Sequence, residues 1–121
     1  MQQVEENLHS ADASAVHSPE SGDLEMIGKV RQAYRSMVPI PWTKCGYCMP
    51  CPNGVDIPRN FELYNDGTIH RNAGIPRFYY SAFLPDPERA SSCIQCGECL
   101  EKCPQSIDIP EWMPKVHGVR P

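Results

Sequence analysis

The sequence predicts a small, mainly α-helical domain with loop-rich Cys/Pro segments and a flexible acidic N-terminal tail. Three observations lead there. Apolar residues recur at three- and four-residue steps in several stretches, and no stretch gives the alternation of a strand. Thirteen prolines and eight glycines interrupt those stretches, so the connections between helices are irregular. The chain has 121 residues, 40% hydrophobic and 8% aromatic, which is marginal core material without a staple, and an odd seven cysteines are available to provide one.

Taken in order, residues 1–22 read as an acidic flexible tail. Six acids and no Lys or Arg fall within residues 1–25, and residues 9–22 are small, polar and aperiodic. His9 and His17 lie in that stretch and read as solvated histidines rather than ligands. Residues 23–38 form a connecting amphipathic helix: Leu24, Ile27, Val30, Tyr34 and Met37 share one face, Asp23 suits the cap, and Pro39 and Pro41 stop it. Residues 39–121 make up the remaining domain. Within it, 39–58 is irregular, and a short helix covers Pro58–Asn65 with Pro58 in the first turn. Gly67 and Gly74 bracket a loop, and a helix covers Pro76–Leu84. Another short helix from Pro87 delivers Cys93, and a last one begins near Pro110 before Pro114 disturbs it.

Bulk properties exclude several function classes. A net charge of −4 argues against a nucleic-acid partner, whose phosphates call for a basic surface. No run approaches the roughly 18 apolar residues of a membrane span. The opening Met-Gln-Gln-Val-Glu-Glu lacks the basic and apolar regions of a secretory signal, which points to a cytoplasmic protein. In that reducing compartment cysteines bind metal more often than they pair as disulfides.

The cysteines lie in an internal repeat. Trp42-Thr-Lys-Cys45-Gly-Tyr-Cys48-Met-Pro-Cys51-Pro-Asn-Gly-Val-Asp-Ile-Pro58 aligns with Cys93-Ile-Gln-Cys96-Gly-Glu-Cys99-Leu-Glu-Lys-Cys103-Pro-Gln-Ser-Ile-Asp-Ile-Pro110. The first copy is one residue shorter between its third and fourth positions. The second copy is C-x2-C-x2-C-x3-C-P, the bacterial ferredoxin run. Three thiolates at i, i+3 and i+6 of a curled turn can each bind one iron of a cubane, and the fourth cysteine serves the other cluster. The predicted fold is therefore a di-cluster ferredoxin-like domain.

Crossed ligation gives two sets. Cys93, Cys96, Cys99 and Cys51 complete one 4Fe-4S site. The other has Cys45, Cys48 and Cys103, with Trp42 aligned to Cys93 and able to offer only an indole N–H. That site is expected to hold a 3Fe-4S cluster, or a 4Fe-4S cluster with one iron on a non-cysteine ligand, or to stay incomplete with Trp42 packed over it. Structural zinc on Cys45, Cys48, Cys93 and Cys96 is the alternative metal, though it leaves the C-x2-C-x2-C triplet and both Cys-Pro positions, Cys51-Pro52 and Cys103-Pro104, without a purpose. Gly46 and Gly97 suit close approach of backbone N–H groups to sulfur, and Met49, Ile57, Ile94, Ile107 and Ile109 are candidates to shield the sites.

These motifs resemble a known family. Tyr34-Arg35, Cys45 to Pro58, Phe61-Glu-Leu-Tyr-Asn65 and the run from Cys93 to Pro104 are similar to the C-terminal region of iron–sulfur-containing aldo/keto reductases. The opening Gln3-Val-Glu-Glu-Asn-Leu-His-Ser-Ala-Asp12 is similar to the segment that closes the barrel in those proteins. The resemblance implies a helical di-cluster domain that follows a (β/α)₈ reductase barrel. The family's first run usually starts with a cysteine, where this chain has Trp42. The barrel's catalytic Asp, Tyr, Lys and His lie outside these residues, so Lys44 and Tyr47 inherit no catalytic role and the chain carries no catalytic site of its own.

Two function classes follow. One is an oxidoreductase-associated electron carrier working with a redox partner protein or a reductase barrel. The other is a structural, metal-stapled interaction domain or a non-catalytic remnant of a reductase. Neither oligomeric state nor the partner's identity is written in the sequence.

Overall fold

A computed structural model describes residues 1–14 and 19–118. Six α-helices follow in chain order: α1, Gln2–Ala13; α2, Ser21–Met37; α3, Ile57–Ile69; α4, Gly74–Ala82; α5, Glu98–Lys102; and α6, Ile109–Gly118. Two 3₁₀ turns, Asp86–Glu88 and Ala90–Ser92, lie between α4 and α5. No strand occurs among the described residues, so the chain is mainly α-helical as the patterning predicts. None of these helices is long and apolar enough to cross a membrane.

The chain divides into two compact units, Met1–Tyr34 and Arg35–Pro121. In the first, the stretch expected as a flexible tail carries α1, in which no residue is buried. Its Gln, Glu, Leu and Ala are good helix formers. The Gln2 side-chain amide also donates to Glu6 Oε1 at 3.1 Å, one turn on. His9 lies on this exposed helix, whereas His17 falls outside the described residues. Helix α2 starts two residues ahead of the expected Asp23, whose carboxylate accepts from the Glu20 N–H at 3.1 Å and so steadies the first turn.

The second unit is built by repetition. Asp56 caps α3 by accepting from Arg59 N–H at 3.0 Å, and Asp108 accepts from Glu111 N–H at 3.1 Å at the start of α6. The peptide groups before these caps match too: Ile57 N–H to Val55 O at 3.1 Å, and Ile109 N–H to Ile107 O at 2.8 Å. Phe61 on α3 and Met113 on α6 stand at aligned positions, and both are buried with Ile40, Val55, Ile57, Leu63, Leu84, Ile107, Ile109 and Val116. This core lies directly beneath the cysteine runs: all seven cysteines lie outside it, five of them partly covered against it and Cys45 and Cys96 exposed.

Three local expectations change. Helix α3 runs through Gly67 to Ile69, so the connection to α4 is shorter than the span from Gly67 to Gly74. A Cβ at Gly67 would stand 3.5 Å from Pro76 Cγ, so its bare backbone lies against the start of α4. Cys93 is delivered by the two 3₁₀ turns instead of one helix. The polypeptide is diverted there because Asn60 on α3 takes the Glu88 carbonyl and the Ala90 N–H as partners, at 2.8 Å each. Helix α6 continues through Pro114. That proline has no N–H for the Pro110 carbonyl, and the Gln95 amide donates to this carbonyl at 3.4 Å.

Candidate metal centre

The repeat in sequence is a repeat in backbone conformation. Lys44 and Gln95 have φ of 56° and 57°, Gly46 and Gly97 have 75° and 83°, and Gly54 and Ser106 have 78° and 52°. Each pair stands at an aligned position. Left-handed residues immediately before Cys45 and Cys96, and again immediately after them, curl each run so that successive sulfurs face one side. The curl is closed by Met49 N–H to Gly46 O in the first run and Leu100 N–H to Gly97 O in the second, both 2.9 Å. The copies part company between their third and fourth cysteines. There the first has a cis Met49–Pro50 peptide, and the second has α5.

Two cavities receive the cysteines. One is lined by Cys51, Cys93, Cys96 and Cys99, with Asn53, Val55 and Lys102 around them. The other is lined by Cys45, Cys48 and Cys103, with Trp42, Thr43 and Gln105. Each cavity is thus lined by cysteines of both runs, Cys51 standing with Cys93, Cys96 and Cys99, and Cys103 with Cys45 and Cys48. Cys48, Ile57 and Ile109 line both and form the wall between them. Of the other proposed shielding residues, Ile107 is buried in the core and Met49 packs against it. Ile94 differs from expectation: its side chain is 68% exposed, because the extended backbone at Cys93 turns the next residue outward.

Electrostatics vary among the sulfurs. Cys45 is exposed, and its thiol is held below the ordinary value, chiefly by the N–H of Tyr47. The Thr43 hydroxyl and the N–H groups of Cys45 and Gly46 add to this. Burial raises Cys48, and the neighbouring Cys45, Cys103 and Cys51 raise it further. Cys99 is pushed up to about 11, first by burial and then by Cys93, Cys96 and Cys48. Donors also reach the last cysteine of the second run: Ile107 N–H points to Cys103 Sγ at 3.5 Å, while the Asn53 amide lies 3.9 Å from Cys96 Sγ.

This donor set fits iron–sulfur clusters. Soft thiols crowd two apolar concavities, and ionising them together requires cations to offset their mutual repulsion. Backbone N–H groups aimed at sulfur stabilise the thiolate form. The cysteines ring the cavities without converging on one point, and among the described residues no three His, Cys, Asp or Glu side chains are grouped to hold a single metal ion.

Two residues that matter for the site are not cysteines. Asn60 and Asn65 are buried on the apolar face of α3. Asn65 holds Ile40, two residues before Trp42, and Asn60 holds Ala90, three residues before Cys93. Each run is therefore hung from the same helix by an asparagine. Asparagine within a helix is disfavoured unless its amide has such work, which is the signal available in the sequence.

Residues 43–107 match the model of the 4Fe-4S dicluster domain family. No curated protein and no solved structure matches significantly.

Proposed function

The chain belongs to the 4Fe-4S dicluster domain family, and from that membership we propose that it is an electron-transfer module resembling the C-terminal part of an iron–sulfur aldo/keto reductase. The observation that carries the reading is the wall shared by the two cavities. Cys48, Ile57 and Ile109 border both, so centres held in them are neighbours separated by one layer of side chains. When bound, the clusters supply one-electron redox centres.

Cys93, Cys96, Cys99 and Cys51 are assigned to the complete 4Fe-4S site, and Cys45, Cys48 and Cys103 to a second site with Trp42 in the place of a fourth cysteine. The protein's part is to hold these thiolates, donate N–H groups to them and keep water from the inner faces. Val55, Ile57, Ile107 and Ile109 are the apolar residues that do so. No acid–base or nucleophilic group is assigned a catalytic role. Lys44 is bonded to Glu62 at 2.6 Å, and Tyr47 is exposed. The electrons are assigned to a redox partner protein or a reductase barrel in the cytoplasm, a link supported by the motifs around Cys45–Pro58 and Cys93–Pro104.

The same wall favours a structural contribution. Ile57 and Ile109 belong both to the cavities and to the core, so cluster binding and packing of the second unit are coupled. The test is reduction of the anaerobically purified chain. Electron transfer predicts loss of a visible band near about 400 nm with dithionite and its recovery on oxidation. A zinc-stapled domain has no visible band to lose.

A further inference from the structure

We propose that the site formed by Cys45, Cys48 and Cys103 carries an exchangeable metal position at its Trp42 corner, where a ferrous ion is held by the cluster and a solvent-derived ligand instead of a side chain. The proposal rests on the reading that both cavities take iron–sulfur clusters. Trp42 and Cys93 occupy aligned positions, and each lines its own cavity. The indole offers one N–H donor and no lone pair to a metal.

No neighbour replaces the missing thiolate. The residues lining this cavity include no Asp, Glu or His. Of the polar ones, Lys44 gives its ammonium to Glu62 at 2.6 Å, the Thr43 hydroxyl is directed at Cys45, and Gln105 offers a neutral amide in place of a thiolate. Trp42 is also fixed where it stands. Its ring meets Phe61 edge-on, with centroids 6.1 Å apart and planes at 76°, and its backbone N–H donates to the Ile40 carbonyl at 2.9 Å. Lys44 Nζ lies over the ring, 5.6 Å from its centroid.

The outer side of this corner is open. Trp42 also lines an open surface depression with Lys44, Asp56, Pro58, Arg59 and Glu62. Trp42, Lys44 and Pro58 line both this depression and the cavity, whereas the second-run cavity has Cys93 at the place aligned with Trp42. The exchange balances as follows. A one-electron oxidant takes one electron from the 4Fe-4S cluster in its 2+ state. The resulting 3+ cluster releases one Fe²⁺ to a chelator and leaves a 3Fe-4S cluster of charge 1+. Addition of one electron and one Fe²⁺ restores the starting state.

The experiment uses the full chain with both clusters rebuilt anaerobically, treated with ferricyanide and EDTA, then with dithionite and ferrous iron. The expected result is reversible loss of about one iron per chain, with appearance and disappearance of the three-iron EPR signal. Trp42→Phe, which keeps an aromatic ring against Phe61, should behave the same. Trp42→Cys should keep its iron and show no three-iron signal. Wild type that retains all its iron, or Trp42→Cys that loses iron as readily, overturns the proposal. If Trp42→Cys does not accumulate, Cys103→Ser decides: the three-iron signal must vanish, and its persistence would place it in the other cavity. Failure of the electron-transfer reading looks different, as absence of reversible bleaching in every variant.

Discussion

Asn65 grips Ile40 at both ends of one peptide residue: its Oδ1 accepts from the Ile40 N–H at 3.2 Å, and its Nδ2 donates to the Ile40 carbonyl at 2.8 Å. Both residues are buried, and Ile40 stands two positions ahead of Trp42. Asn65→Leu removes two buried hydrogen bonds and leaves the Ile40 N–H unpaired, while the Ile40 carbonyl keeps the Trp42 backbone N–H. The expected loss is about 2–3 kcal/mol in denaturant unfolding. Iron should fall in the Cys45/Cys48/Cys103 site before the other. Asn60→Leu should reverse that order, because its amide holds Glu88 and Ala90 ahead of Cys93.

The exchange of fourth cysteines makes opposite predictions for two similar variants. Cys51→Ser should damage the cluster held by Cys93, Cys96 and Cys99, although Cys51 belongs to the first run. Cys103→Ser should damage the cluster held by Cys45 and Cys48. Iron and sulfide quantitation with EPR on each variant reads the result. Loss confined to the mutated run's own neighbours would count against the crossed sets.

Glycine substitutions should differ in sign by place. At Gly97, with φ of 83°, an added Cβ meets nothing closer than Leu100 Cδ1 at 3.8 Å, so only the left-handed backbone resists it. Gly97→Ala should cost about 1–2 kcal/mol in thermal or denaturant unfolding. Gly28, inside α2 with nothing within 4 Å of its Cβ position, lacks that constraint. Gly28→Ala should raise helix content and contribute about 0.5–1 kcal/mol to the helical state.

Outside Trp42, Lys44 and Arg59 both bond Glu62 at 2.6 Å. Lys44 first, and Arg59 second, hold the Glu62 carboxyl below its ordinary value of 4.5. Because the folded value is depressed, the contribution of these pairs is present above the ordinary value and is lost as pH falls through the depressed one. An NMR titration of the Glu62 carboxyl should place its midpoint below 4.5, and Lys44→Met should move it upward. An unmoved midpoint would remove Lys44 as the principal cause. The stability at stake is under about 1 kcal/mol, as for other partly exposed pairs.

Much of the site could be read from spacing, because a C-x2-C-x2-C turn constrains its own geometry over a few residues and the repeat revealed both copies. Trp42 stood out by the same register. What could not be read depends on partners distant in the chain. Asn60 and Asn65 look like ordinary helix-surface residues until Ala90 and Ile40 are brought to them, 30 and 25 positions away. Gly67 read as a loop signal because local propensity does not register Pro76 lying against it. Pro114 reads as a disturbance of the last helix because the carbonyl it abandons meets Gln95 only in the folded chain. Residues 2–13 carried enough helix formers to be α1, but their acidity and the aperiodic stretch beyond weighed toward a tail.

The electron-transfer reading is tested most directly by a potentiometric EPR titration of the anaerobic full chain with its clusters in place. Two iron–sulfur centres joined through the wall of Cys48, Ile57 and Ile109 predict two reversible one-electron reductions with spin–spin broadening between them, and Cys51→Ser and Cys103→Ser should each abolish a different one. A chain that shows no reducible iron centre, or a single centre unaffected by Cys103→Ser, would contradict the account.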